Sequence, residues 1–387
     1  MKRAGQTSRP CLCHIIHEDG PGGGPKSVIN LLNYFHDKFD LIVFRGRRGR
    51  IAAKCDELGV RHIEMPLHKL GPAVLLIPLL AIRLRKIAPD ILLLHGQWAG
   101  VIGALAARLA SIRKVIYVAQ WPAFYTDWDL FRVMRNRMVE SISCRLVAQV
   151  VLISRGNYYQ YLIRRLIDEK RTRVIPNSIN LDDIPLPETA AKYRAELGWN
   201  DGRCHVVSVG RLADQKRIDW LLRSWKIVAE SGEAAHLWII GDGPDRASLE
   251  QLARELDITG SCSFVGAQNG LQYIAACDIV AMTSLYEGHA NVPLEAMACG
   301  KPIVANEVDG TRQSLTEAVE GYLVTPGNTE LFAQRLLQLI RDPAARAQMG
   351  LSGTETVRKF ATDAVMAEYD SLMRELLASH SDLPEPA

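Results

Sequence analysis

The stretch Cys204-His-Val-Val-Ser-Val-Gly-Arg-Leu-Ala-Asp-Gln-Lys-Arg217 opens with a short, mostly apolar run and closes with a glycine and two cations, Arg211 and Lys216. Such a run fits a buried strand. Gly210, at the strand's end, lets the backbone approach a ligand closely. Arg211 and Lys216 then stand at the start of a helix, beside backbone N–H groups without intrahelical partners, a setting suited to two anionic phosphates.

Similar runs recur in both directions. Cys11 to His17, Leu41 to Phe44, Ile91 to His95, Val115 to Ala119 and Val150 to Ser154 precede it, and His236 to Gly241, Ile279 to Thr283 and Pro302 to Asn306 follow it. Runs of this length separated by helix-length amphipathic segments predict parallel strands with crossover helices, and so an α/β fold of two doubly wound, Rossmann-like domains. Pro185 and Pro187 interrupt regular structure before the helical segment Ala190 to Leu197, which sets the domains at 1–185 and 186–362. A helix from Asp363 to Ala378, within 363–387, is expected to pack back on the first domain, leaving a frayed tail from Asp382.

With 48% apolar and 23% charged residues among 387, the chain reads as globular and large enough for two cores. Its eight cysteines form no Cys-x-x-Cys pair and no framework spacing, and Met1 to Arg9 lacks an apolar leader, which predicts a reducing, cytoplasmic setting. The apolar stretch Leu70 to Ile82 is too short to cross a bilayer and carries Pro72 and Pro78. Charge is unevenly spread: residues 1–185 hold 28 basic and 15 acidic side chains, the remainder 18 and 28. That asymmetry predicts an anionic partner for the first domain, with a membrane surface expected through Arg45, Arg47, Arg48 and Arg50, through Arg83, Arg85 and Lys86, and through Arg132, Arg135 and Arg137.

A second motif, Glu287-Gly-His-Ala-Asn-Val-Pro-Leu-Glu295, continues as Ala-Met-Ala-Cys-Gly300. Its two carboxylates can reach different parts of one ligand, Glu287 from a loop and Glu295 from a helix. The amides near Asn291 and Val292 open that helix and suit a diphosphate. Taken alone, an acidic first turn is also an ordinary consequence of the helix dipole. The two motifs together, on consecutive units of one domain, are far more specific.

At this point the chain resembles the retaining glycosyltransferases of family four, which have the GT-B fold of two Rossmann-like domains facing across a cleft. The resemblance rests on Gly22-Gly23-Gly24, Arg211 with Lys216, Gly241-Asp-Gly-Pro244, Phe264-Val265-Gly266 and the Glu287 to Gly300 element. It implies a nucleoside-diphosphate-sugar as donor substrate, no other cofactor and no metal, and a polysaccharide, lipopolysaccharide or lipid-linked acceptor. Carried over by position, Arg211 and Lys216 hold the donor diphosphate, Glu295 accepts hydrogen bonds from the ribose, and the Val265 backbone reads the base. Glu287 contacts the donor sugar, and His95 approaches it from the other domain. Gly23 and Gly24 let the loop before a helix at Lys26 to His36 come near phosphate and sugar. The chain departs from the usual pattern at His289, Ala290 and Gln313, which bears on the donor sugar rather than on the reaction class.

Other readings carry less. An epimerase or phosphorylase of the same fold takes related ligands. Gly20 to Ser27 nearly spells a P-loop, but Pro25 removes an N–H that would face phosphate. Cys11, Cys13, His14 and His17 lie on one expected strand whose side chains alternate between faces, which suits packing better than zinc. Asp242 and Asp245 sit in a glycine turn that more simply closes a strand. A nucleic-acid partner for the basic half lacks any recognisable reading module.

Overall fold

The computed structural model describes residues 9–17, 19, 23–46, 49–65, 76–120 and 130–379. The chain divides into two compact units, Met1–Ser178 with Thr362–Ala387, and Ile179–Ala361. In the first, β1 (Cys11–Ile16), α1 (Gly23–Phe35), β2 (Asp40–Arg45), α2 (Arg50–Leu58) and β3 (Arg61–Glu64) are followed by α3 (Ile77–Ile87), β4 (Ile91–His95), α4 (Gln97–Leu109), β5 (Val115–Ala119), α5 (Leu130–Leu146), β6 (Gln149–Leu152), α6 (Arg155–Ile163) and β7 (Thr172–Val174). The sheet order is β3-β2-β1-β4-β5-β6-β7, parallel throughout. Each face of a parallel sheet must be covered, and β1 shows how: Cys11, Cys13 and Ile15 enter one apolar layer and Leu12 and Ile16 the other.

The second unit comprises α7 (Pro187–Glu196), β8 (Cys204–Val209), α8 (Ile218–Glu230), β9 (Ala235–Ile240), α9 (Arg246–Glu255), β10 (Cys262–Gly266), α10 (Gly270–Ala276), β11 (Ile279–Met282), α11 (Asn291–Ala298), β12 (Ile303–Asn306), α12 (Asp309–Arg312), β13 (Gly321–Val324), α13 (Thr329–Arg341) and α14 (Pro343–Thr356). Its sheet runs β10-β9-β8-β11-β12-β13, again all parallel. The last helix, α15 (Thr362–Ala378), belongs to the first unit, where Val365, Met366, Tyr369, Leu372 and Met373 join the layer containing Leu31 and Phe35.

Two sequence expectations need correction. The boundary expected at 185/186 lies at Ser178/Ile179, because Pro187 begins α7 instead of marking a linker, a position where its missing N–H costs nothing. The chain enters and leaves the second unit side by side, with the Ile179 N–H donating to the Phe360 carbonyl at 2.9 Å. The helix expected from Lys26 begins at Gly23, so Gly23 and Gly24 form the first turn of α1 and are not a preceding loop. Pro25 is tolerated there because the first N–H groups of a helix have no carbonyl to meet.

Of the basic loop expected at Arg45 to Arg50, Arg45 is buried, bonded to His62 at 3.0 Å and to Glu64 at 3.3 Å, while Arg47 and Arg48 lie outside the described residues. Gly22, the stretch 70–75 and the tail 382–387 also lie outside them. Among the described residues, no helix is long and apolar enough to cross a membrane.

Candidate active site

In an open parallel sheet a ligand crevice forms where strand order reverses, beyond the carboxyl ends of the two strands flanking the reversal. In the second sheet these are β8 and β11. Gly210, Arg211 and Lys216 follow β8, and Glu287 follows β11, so two motifs 71 residues apart converge. Lys216 ends a 3₁₀ turn, Asp214–Lys216, and its Nζ lies 2.5 Å from Glu287 Oε1, with both side chains largely withdrawn from water. The lysine stem crosses Gly210, where a Cβ would stand 3.3 Å from Cε.

Residues that the sequence reading did not single out hold this pair in place. Thr283 Oγ1 donates to the Lys216 carbonyl at 3.0 Å, the Leu285 N–H to the Gln215 carbonyl at 2.8 Å, and Gln215 Nε2 to the Tyr286 carbonyl at 3.0 Å. Behind them, buried Asn306 donates to the Thr283 carbonyl at 2.7 Å, and Thr311 Oγ1 donates to the Asn306 carbonyl at 2.7 Å. Gly310 presses on Glu287 so closely that a Cβ would fall 2.6 Å from the glutamate Cβ. The available signal was the polar residue at the end of each apolar run, Thr283 after β11 and Asn306 in β12.

Around the pair, the remaining second-unit residues occupy strand ends and one helix start. Arg211 is exposed and makes no ion pair among the described residues. Gly241, with φ of 140°, lies against the Gly210 carbonyl, where a Cβ would come within 1.8 Å, so the turns after β8 and β9 touch backbone to backbone. In α11, Asn291 and Val292 are the first two residues, and the preceding Ala290 offers no side-chain cap, which leaves their N–H groups directed outward with the positive end of the helix dipole. Glu295 lies one turn further on, half-buried.

Val265 sits at a β-bulge: Phe264 pairs with Ile239 and Gly266 with Ile240, so Val265 is the extra residue that the ladder leaves out. Asp242 and Asp245 stand in the turn before α9, where Asp242 accepts from the Gly243 N–H at 2.8 Å. His289 is buried, with Nε2 3.3 Å from Ser314 Oγ and its ring 5.3 Å from that of Phe360. Burial lowers its pKa to about 3, so this departure from the family pattern is a neutral core residue.

The first sheet reverses between β1 and β4. His95 ends β4 and is buried against His14, the rings stacked 5.3 Å apart and His14 Nδ1 3.0 Å from His95 Nε2. Burial lowers the pKa of His14 to about 4, and burial together with His14 holds that of His95 well below its ordinary value, so the pair is neutral at pH 7. His95 Nδ1 has no hydrogen-bond partner among the described residues. Gly24 approaches the end of β5, where a Cβ would meet Gln120 Oε1 at 2.4 Å, and Gly96, with φ of 81°, lies beside the His17 ring. Gln120 thus joins this reversal point unsignalled by any sequence motif, and His17, which the sequence marks as the end of the first apolar run, joins it as well. Among the described residues, no three His, Cys, Asp or Glu side chains are grouped to hold a metal ion.

With this geometry in hand, comparison with known proteins is consistent from end to end. Residues 21–183 match the model of Glycosyltransferase Family 4, and residues 189–356 that of Glycosyl transferases group 1. The chain is 26% identical over 362 residues, 92% of its length and 97% of the relative's, to the lipopolysaccharide core biosynthesis glycosyltransferase LpsD of Rhizobium meliloti (strain 1021). It is 23% identical over 287 residues, 72% of its length and 75% of the relative's, to the capsular polysaccharide biosynthesis glycosyltransferase CapM of Staphylococcus aureus. The crystal structure of Anabaena Alr3699/HepE in complex with UDP and glucose shares the fold, with a TM-score of 0.83 at 20% identity over 95% of this chain and 100% of that one. Sequence and fold together make this chain a member of the GT-B glycosyltransferases, with a family 4 segment followed by a group 1 segment.

Proposed function

We propose that the enzyme moves a hexose or related sugar from a nucleoside-diphosphate-sugar to a glycan or lipid-linked acceptor, with retention of anomeric configuration and without a metal ion. The observation that carries this reading is the meeting of Lys216 and Glu287 at the β8/β11 reversal, next to exposed Arg211, in a loop that runs into the uncapped start of α11. As the bond from the anomeric carbon to the diphosphate breaks, negative charge gathers on the departing phosphate oxygen. Arg211, Lys216 and the amides of Asn291 and Val292 are fixed positive groups for that charge, which is transition-state stabilisation without a cation. The acceptor oxygen bonds to the same carbon, and its proton leaves with the departing phosphate.

Glu295 takes the ribose hydroxyls, and the main chain at Val265, left out of the sheet ladder, takes the base. Glu287 and His95 are assigned to the donor sugar, His95 through its unpartnered Nδ1. Gly23 and Gly24 bring the first-turn amides of α1 to phosphate and sugar. The acceptor class follows the relatives' work in lipopolysaccharide core and capsule biosynthesis. The basic first unit docks on the anionic cytoplasmic face of a membrane through exposed cations such as Lys86, Arg132 and Arg137. A thermal-shift screen against UDP, GDP, ADP and their sugar conjugates tests the donor assignment. A ligand at about 100 times its Kd adds about 2.7 kcal/mol of stability, and a screen without any nucleotide-dependent shift would remove it.

A further inference from the structure

His14 lies in the middle of β1, a strand whose other side chains are all aliphatic or cysteine. It shares the sheet face of Leu12 and Ile16 and is fully buried, on the side whose apolar layer contains Val28, Leu31, Phe35 and Met373. Register makes His95 its neighbour: Ile16 pairs with His95, and His14, two residues earlier on the same face, pairs with Leu93. A buried polar group costs free energy unless it is hydrogen-bonded. The ring of His14 has a single bond among the described residues, Nδ1 to His95 Nε2 at 3.0 Å, with the ring planes 9° apart. His14 Nε2 and His95 Nδ1 have no partner among the described residues.

Counting protons constrains the pair. Both rings are neutral at pH 7, held so by burial and, for His95, by His14 as well. The four ring nitrogens therefore share two protons, one per ring. One of these stands between the rings, because two bare nitrogens, or two N–H groups, facing each other at 3.0 Å would repel. The other falls on one outer nitrogen and leaves the second outer nitrogen bare. Were His95 the donor in the bridge, the outer proton would sit on His14 Nε2, stranded on the apolar side of the sheet without an acceptor among the described residues. Orphaned buried N–H groups are rarer than under-satisfied acceptors. With His14 as the donor, only a bare nitrogen is left there. The outer proton then sits on His95 Nδ1, at the carboxyl end of β4, the end of a parallel sheet at which ligands bind.

We infer that His14 is a positioning residue: by donating its Nδ1–H to His95 Nε2, it fixes His95 as the Nδ1–H tautomer, a hydrogen-bond donor for an oxygen of the donor sugar. A backbone carbonyl or a carboxylate commonly sets the tautomer of a functional histidine; an imidazole does so here without placing a charge in the core. The inference rests on the assignment of His95 to the donor sugar.

Histidine-selective 15N spectra of the full chain read the tautomers without any ligand, with the two residues' signals assigned by their loss in His14→Leu and His95→Gln. Both rings are expected as the Nδ1–H tautomer, and a protonated Nε2 on His95 would overturn the inference. Affinities for UDP, GDP and ADP, and for UDP-glucose, GDP-mannose and ADP-glucose, supply the second readout. In His14→Leu the affinity for the bare diphosphates is expected to stay that of the wild type, while the affinity for the preferred nucleotide-sugar falls about tenfold. His14→Asn, whose amide N–H can replace Nδ1–H, is expected to restore it. Wild-type affinity for the nucleotide-sugar in a folded His14→Leu would overturn the inference, as would an equal loss for diphosphate and nucleotide-sugar without rescue by Asn, the mark of a merely structural residue. A wild type that binds none of the six would overturn the donor-sugar assignment itself, a failure the ligand-free spectra do not share.

Discussion

Lys216 Nζ stands 2.5 Å from Glu287 Oε1, joining the loop after β8 to the loop after β11. Hydrogen bonds to charged groups contribute about 1.5–3 kcal/mol, and this pair is mostly shielded from solvent. In denaturant unfolding of Lys216→Ala, Glu287→Ala and the double variant, the two losses are therefore expected to be non-additive by about that amount. Simple addition would mean that the pair carries no coupling. Turnover of Lys216→Ala is expected to fall on the order of 10²–10³-fold, as for loss of a preorganised charge-stabilising group.

Gly310 controls where Glu287 sits. A Cβ there would overlap the Glu287 Cβ at 2.6 Å and its carbonyl oxygen at 2.6 Å, and both are backbone-anchored atoms that cannot swing away. Gly310→Ala is expected to cost about 1–3 kcal/mol of stability through overpacking and on the order of 10²-fold in turnover through displacement of the loop. Wild-type turnover in the variant would show that Glu287 need not be held in this position.

Glu140 sets a pH dependence of stability. Fully buried, it accepts hydrogen bonds from Tyr117 Oη at 2.8 Å and Tyr161 Oη at 2.9 Å. Burial raises its pKa from 4.5 to about 7, with the tyrosines partly opposing the shift. Between those values the folded chain keeps a proton that the unfolded chain has lost. Its contribution is therefore full below the unfolded value, declines as pH rises and is gone above about 7. Glu140→Gln removes the titration and keeps an acceptor for the tyrosines. It is expected to raise stability at pH 8 by about 3 kcal/mol, with little change near pH 4; equal pH slopes in both proteins would refute the assignment.

The central strands were legible in the sequence and the edges were not. The nine apolar runs correspond to β1, β2, β4, β5 and β6 and to β8, β9, β11 and β12, each buried on both faces. The strands without a predicted run, β3, β7, β10 and β13, are the four sheet edges. An edge strand such as Arg61–Glu64 is half-exposed and needs no apolar run. For the second-unit site, Arg211, Lys216 and Glu287 could be read because charge beside a strand end is a local pattern. Thr311 and Gly310 could not, since their roles depend on hydrogen bonds and close approaches across the sheet that no local spacing records, and Asn306 was marked only as the polar end of an apolar run.

Neutralisation of the leaving group by Arg211, Lys216 and the α11 amides predicts that sugar transfer survives an excess of chelator. Loss of activity restored by magnesium or manganese would show instead that a bound cation takes up that charge.

Binding of a nucleoside diphosphate at the β8/β11 reversal is measured by calorimetric titration of the full chain. The nucleoside diphosphate that stabilises the chain most is expected to fill one site, with affinity lower by about 1.5–3 kcal/mol in both Arg211→Ala and Glu295→Gln and melting temperatures unchanged. Wild-type affinity in both variants, or no saturable binding to the wild type, would contradict it.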